Sequence, residues 1–171
     1  MGKNKKGLSV CLKVVLALVL CAWFFASNAG AEDKSKDLGI KADLQKMYMD
    51  YLQEEGYKPE IDKDGDVGFK KEGRYYYISI QSQEKDTEFF RLVFPKFWKI
   101  ESDAERVRVL AAANESNSSV KVCKVYTQDD DVWAAAEILV EKPEQAKAVF
   151  KRAVSTIENA VSKFVNEMRE K

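Results

Sequence analysis

Asp62, Asp64 and Asp66, alternating with Lys63 and Gly65, are the residues whose type and spacing come nearest to metal chemistry in this chain. Alternate aspartates open the calcium loop of an EF-hand, where carboxylate oxygens replace the water around a hard cation. The rest of that loop is missing. Its sixth position would be Val67 where glycine is needed, its twelfth would be Gly73 where a bidentate glutamate is needed, and Pro59 sits where the entering helix belongs. The segment reads as a hairpin turn in which Gly65 takes positive φ, and Asp129-Asp130-Asp131 reads as a second solvated turn. Neither a metal nor a cofactor is expected.

Histidine is absent from all 171 residues. That removes Ser-His-Asp and Cys-His arrangements, most zinc sites and the commonest general base near neutral pH. A paired-carboxylate hydrolase is the chemistry left open, and no two carboxylates are singled out for its geometry. The expectation is a protein that is not an enzyme. Cys123 stands alone once Cys11 and Cys21 are assigned to the N-terminal apolar run. Lying in the alternating stretch Val120-Lys121-Val122-Cys123-Lys124-Val125-Tyr126, it is expected to act as a small buried hydrophobe, with an intermolecular bridge or a reactive thiol as the alternatives. Asn114-Glu115-Ser116 and Asn117-Ser118-Ser119 match the glycosylation sequon, and the end of a helix explains both asparagines more simply.

Lys3, Lys5 and Lys6, the apolar run from Leu8 to Ala26 and the small residues Ala29-Gly30-Ala31 have the order of a cleavable signal peptide, residues 1–31. A retained membrane anchor is the competing reading, and Lys13 breaks its apolar window short of the roughly 20 residues a span requires. Either way the remainder is expected outside the cytoplasm, periplasmic or secreted, touching a membrane only through this segment if it stays uncleaved. Loss of the segment removes four lysines and no acids, leaving 24 basic against 28 acidic side chains. With both signs interspersed and no basic stretch, nucleic acid is not an expected partner.

Glu32 to Asp37 carries no large apolar side chain, so residues 32–39 are expected as a flexible leader before one domain, residues 40–171. Ile40, Leu44, Met47, Tyr48, Tyr51 and Leu52 recur at helical spacing, and Gly56 is placed to cap that helix. Strands are predicted over Tyr57 to Asp62, Val67 to Lys71, Arg74 to Ser82 and Thr87 to Phe94, with Pro95 ending the last. Ser102-Asp103-Ala104-Glu105 matches a capping box. The helix it opens is expected to bury Val107, Leu110, Ala111 and Asn114 and to stop in the cluster Asn114 to Ser119. Val120 to Thr127 and Val132 to Val140 form a predicted hairpin. Pro143 then opens a helix whose apolar stripe runs from Ala146 to Met168. At 1.5 Å per residue that helix extends about 40 Å; it either lies across the sheet or carries its distal half onto a second subunit.

The order of elements gives an α+β fold: an antiparallel sheet, a meander plus a C-terminal hairpin, flanked by an N-terminal, a middle and a long C-terminal helix. The stretch from Leu44 to Met168 resembles the YbjN-type domain, which is similar in fold to type III secretion chaperones. The patterns that carry the resemblance are Glu55-Gly56-Tyr57 at the end of the first helix, Asp62-x-Asp64-Gly65-Asp66 before a strand, and Ala113-Asn114-x-x-Asn117 before Val120-x-Val122. The resemblance implies a tendency to dimerise, no cofactor and no catalysis, and surfaces that hold extended segments of a partner.

Tyr75, Tyr76 and Tyr77, with Phe89 and Phe90 on the next predicted strand, put aromatics on both faces of the sheet. One face must be core; the other is expected to be covered by a long helix, or else to bind something. The residues expected to build an interface are Tyr75, Tyr77 and Phe89, together with Phe164 and Met168 on the outer face of the last helix. The function expected is an exported, non-enzymatic protein- or peptide-binding module, chaperone-like or regulatory. The alternative is a periplasmic small-molecule or lipid-binding domain with its pocket between the sheet and the long helix.

Overall fold

The amphipathic repeat at the start of the domain forms helix α1 (39–54) in the computed structural model, which describes residues 39–170. The expected signal segment and nearly all of the expected leader lie outside the described residues. Leu44, Tyr48, Tyr51 and Leu52 are the buried stripe of α1. Gly56, at φ +85°, closes the helix: its N–H donates to Gln53 O and that of Tyr57 to Leu52 O, the paired bonds of a Schellman cap.

Strands β1 (Glu60–Ile61), β2 (Val67–Lys71) and β3 (Arg74–Ile78) follow as an antiparallel meander. Asp62 Oδ1 organises the first turn by accepting from the amides of Asp64 at 2.9 Å and Asp66 at 3.0 Å. β3 stops at Ile78, short of the predicted Ser82, because Asp66 captures the chain beyond it. The Asp66 carboxylate accepts from the amides of Ile80 at 2.7 Å and Gln81 at 3.4 Å and so starts a short helix, α2 (Ile80–Lys85). Gln83 of α2 has no exposure and accepts a 2.7 Å hydrogen bond from Tyr48 Oη, tying α2 to α1.

β4 (Phe89–Lys99) runs straight through Pro95, contrary to the predicted stop. The register against its neighbour shifts between Phe94 and Trp98, and Lys96 has φ +51°. Pro95 thus occupies a bulge, where no ladder hydrogen bond is demanded of it. The capping box then opens α3 (Asp103–Ser119): Ser102 Oγ accepts from Glu105 N, and the Glu105 carboxylate reaches back to Glu101 N and to the Trp98 indole.

α3 packs on the opposite side from the one the sequence predicts. Val109, Ala112, Ala113 and Ser116 are buried, while Val107 and Leu110 are more than half exposed and Ala111 and Asn114 face solvent. The helix runs through the serine-rich cluster and stops at its last residue, Ser119. Ser116 Oγ donates to Ala160 O, and Ser118 and Ser119 donate to carbonyls within their own turn.

β5 (Cys123–Gln128) and β6 (Asp131–Leu139) make the expected hairpin, with β6 inserted between β4 and β5 in the order β1-β2-β3-β4-β6-β5. β5 begins three residues later than predicted because Val122, at φ +53°, turns out of the strand's line. A 3-10 turn at Pro143–Gln145 leads into α4 (Ala146–Glu170). Among the described residues no helix is long and apolar enough to cross a membrane.

Side chains alternate across the sheet. Phe69, Tyr76, Phe90 and Leu92, all essentially without exposure, point to the side on which α1 and α4 lie. A chain of ring contacts crosses that core from Tyr51 through Phe150, Phe69, Tyr76, Phe94 and Phe97 to Phe164, with centroid separations of 4.8–5.7 Å. Burying each such ring contributes about 1.5–3 kcal/mol before entropy is counted. Phe164 meets Phe97 edge-on at 5.2 Å and Trp98 at 5.7 Å. Phe164 and Met168 are therefore interior, a correction to the outer-face placement expected for them. The inner face of the distal half of α4 is filled by α3 and β4 of the same chain.

Candidate functional site

Alternation sends Tyr75 and Tyr77 of β3, Arg91 of β4, Glu137 and Trp133 of β6, and Lys124 and Tyr126 of β5 to the sheet side away from α1 and α4. Expected under a helix, this side instead bears side chains whose contacts run to one another and to the Asp62 turn. Arg91 Nη2 donates to Tyr126 Oη at 2.8 Å. Arg91 Nε lies 3.2 Å from Glu137 Oε1 without hydrogen-bond alignment, and Lys124 Nζ reaches the same oxygen at 2.7 Å. The Lys124 ammonium stands 5.4 Å from the centre of the Tyr126 ring, which stacks on Trp133 at 6.5 Å.

Beneath this layer the backbone carries small or fully buried residues. In register across five strands run Gly68, Tyr77, Val93, Ala135 and Lys124, and both Val93 and Ala135 have no exposure. The Tyr75 ring lies directly over Gly68, where a Cβ would meet its hydroxyl end. Tyr75 and Tyr77 are half-buried, and burial pushes each phenol up to about 12, helped at Tyr75 by Asp62 and Glu60 and at Tyr77 by Tyr126. Both stay neutral near pH 7, hydrogen-bonding groups on apolar bodies. Phe89 pairs across strands with Leu139 at the end of this side, and Leu139 is 76% exposed.

The sequence therefore placed Tyr75, Tyr77 and Phe89 on one face, and the structure joins them to residues that sequence reasoning passed over: Arg91, Lys124, Tyr126, Trp133 and Glu137. The signal available was the alternation within β5 and β6. What hid it was the strand order, since nothing local tells that β6 pairs with β4 across the intervening α3 and β5. Phe164 and Met168 lie in the core on the other side.

The remaining candidate groups are engaged structurally. The carboxylates of Asp62 and Asp66 accept from backbone amides, and among the described residues no group of three or more cysteine, aspartate or glutamate side chains is arranged to hold a metal. Burial pushes the Cys123 thiol up to about 12, which withholds the reactive thiolate. Asn117, half of a sequon, uses its amide as a clamp: Oδ1 accepts from Val125 N at 2.7 Å and Nδ2 donates to Val125 O at 3.0 Å. The outermost strand is thereby closed at Val125.

Among the described residues the antiparallel sheet is backed by helices on one side and carries an aromatic and charged layer with no helix over it on the other. A model of the family TY-Chap1, described as the type III secretion system (YopN, CesT) and YbjN peptide-binding chaperones, matches residues 42–170. The chain belongs to this family of chaperone-type binding domains. No curated protein matches the chain.

Proposed function

We propose that this protein is an exported, non-enzymatic, chaperone-like module that holds an extended segment of another protein against the bare side of its sheet. The observation that carries the reading is the layer of Tyr75, Tyr77, Arg91, Tyr126 and Trp133, left without a helix over it among the described residues, in a chain of a peptide-binding family. Rigid aromatic surface with adjoining hydrogen-bonding groups holds varied segments at low entropic cost, because few rotors are frozen. Export is supported by the order of Lys3, Lys5 and Lys6, the apolar run and Ala29-Gly30-Ala31. A homodimer through the distal half of α4 forms no part of the reading, since Phe164 and Met168 are buried within one chain. The packing of Phe69, Tyr76, Phe90 and Phe150 between sheet and helices favours this over a lipid or metabolite pocket at that place.

A peptide library panned on the purified protein is the direct test. Retained peptides are expected to change Trp133 fluorescence and to bind roughly tenfold more weakly when Tyr77 and Tyr126 are both replaced by serine. A library from which nothing is retained refutes the binding role. N-terminal sequencing of protein from the cell envelope is expected to begin near Glu32; an intact Met1 chain confined to the cytosol refutes export.

A further inference from the structure

Val122 is a β-branched residue at φ +53°, a conformation that costs about 1–3 kcal/mol and persists only where its surroundings enforce it. Its effect is to carry the chain away from β6. β5 pairs with β6 only as far as Cys123 opposite Ala136, with one last bond from Glu137 N to Val122 O, so Ile138 and Leu139 have no strand neighbour on that side among the described residues. A groove of about 470 Å³ occupies the gap, between the connection 119–122, Ile138 and the α4 face that carries Val149 and Arg152. Its floor is aliphatic, and Val122, which lines it, is 56% exposed. The charged residues lining it are Lys121 and Arg152, both exposed cations. Among the described residues neither holds an acid in an ion pair, in contrast to Lys124, Arg91 and Arg106 nearby in the sheet and α3.

We propose that this groove takes the apolar side chains of an extended peptide whose flanking residues are acidic, with Lys121 and Arg152 meeting the carboxylates. The inference rests on the peptide-binding reading and adds where a segment is anchored and what charge it carries. An aliphatic trough whose charged lining is two cations favours such a segment over a basic one, because like charge at a partly desolvated rim repels.

The test uses the whole chain and two synthetic peptides, one alternating glutamate with valine and isoleucine, the other with lysine in place of glutamate. The acidic peptide is expected to bind, more weakly as salt rises, and to lose roughly tenfold or more in affinity in the double variant Lys121→Glu, Arg152→Glu. Both substitutions are at exposed positions, and an unchanged melting curve shows that the fold is intact. Equal binding of the lysine peptide, or undiminished binding to the double variant, overturns the groove assignment while leaving peptide binding in place. The groove assignment is overturned in the same way if library peptides bind but the acidic peptide does not. Failure of every peptide overturns both readings.

Discussion

Asp66 is a carboxylate folded away from water, 8% exposed, and held by the amides of Ile80 and Gln81. Burial raises its pKa above the ordinary aspartate range, outweighing the two amides that lower it, and the neighbouring Asp62 and Asp64 charges add to the rise. Over the interval between the ordinary and the raised value the folded protein keeps a proton that the unfolded chain has lost. The Asp66 contribution to stability is therefore complete below that interval and declines as pH rises through it. Asp66→Asn retains an acceptor for α2 without the titration. The stability of the wild type relative to this variant should fall as pH rises through and above the ordinary aspartate range, as read from paired melting curves; a difference that stays flat or grows would contradict the assignment. Glu105 works in the opposite sense. The Glu101 amide, and then the Trp98 indole, hold its carboxyl below the usual range, so its contribution is present above that range and is lost as pH falls.

At the scale of elements, α3 shows how a helix chooses its face. By hydrophobicity the larger Val107 and Leu110 should be inside, yet the small residues Ala112, Ala113 and Ser116 are, because they let α3 approach α4 closely enough for Ser116 Oγ to reach Ala160 O at 2.8 Å. Size complementarity between two helices cannot be read from either alone. α4 was legible for the converse reason: its buried stripe of Ala146, Phe150, Ala153, Val154, Ile157, Ala160, Phe164 and Met168 falls wholly within the set that the periodicity marks, with Val149, Val161 and Val165 left half-buried at its margins. The strand over Arg74 to Ser82 was half legible, since the aromatic alternation is local but the Asp66 carboxylate that ends it arrives from another turn. α3 also closes the sheet at β5 through Asn117. Asn117→Ala leaves the Val125 amide and carbonyl without that partner and should cost about 1–3 kcal/mol in denaturant unfolding. Light scattering should show increased self-association as the strand edge opens. An Asn117→Ala protein as stable and monodisperse as the wild type would show that the clamp is incidental.

Over the whole molecule, the proposed function divides the two sides of the sheet between stability and recognition. The helix side is continuous ring packing that ends at Phe164, and Phe164→Ala should destabilise by about 3–5 kcal/mol through the cavity it leaves. Calorimetry is expected to show one cooperative transition at lower temperature. Survival of the wild-type melting point would mean that the distal half of α4 is docked loosely. That Tyr75 and Tyr77 share a face apart from Tyr76 was legible from strand alternation, but which face the helices cover was decided by where they landed. That decision depends on β6 joining β4, a pairing with no sequence neighbour to announce it.

Gly68, roofed by the Tyr75 ring, would make the proposed recognition side adjustable without cost to the core. A single added methyl there would lever the phenol off the sheet, and the displaced group is the free end of a side chain rather than backbone. One nucleotide change could in this way recontour what the protein grips, and lineages that need a different guest have at this position a route that spares folding.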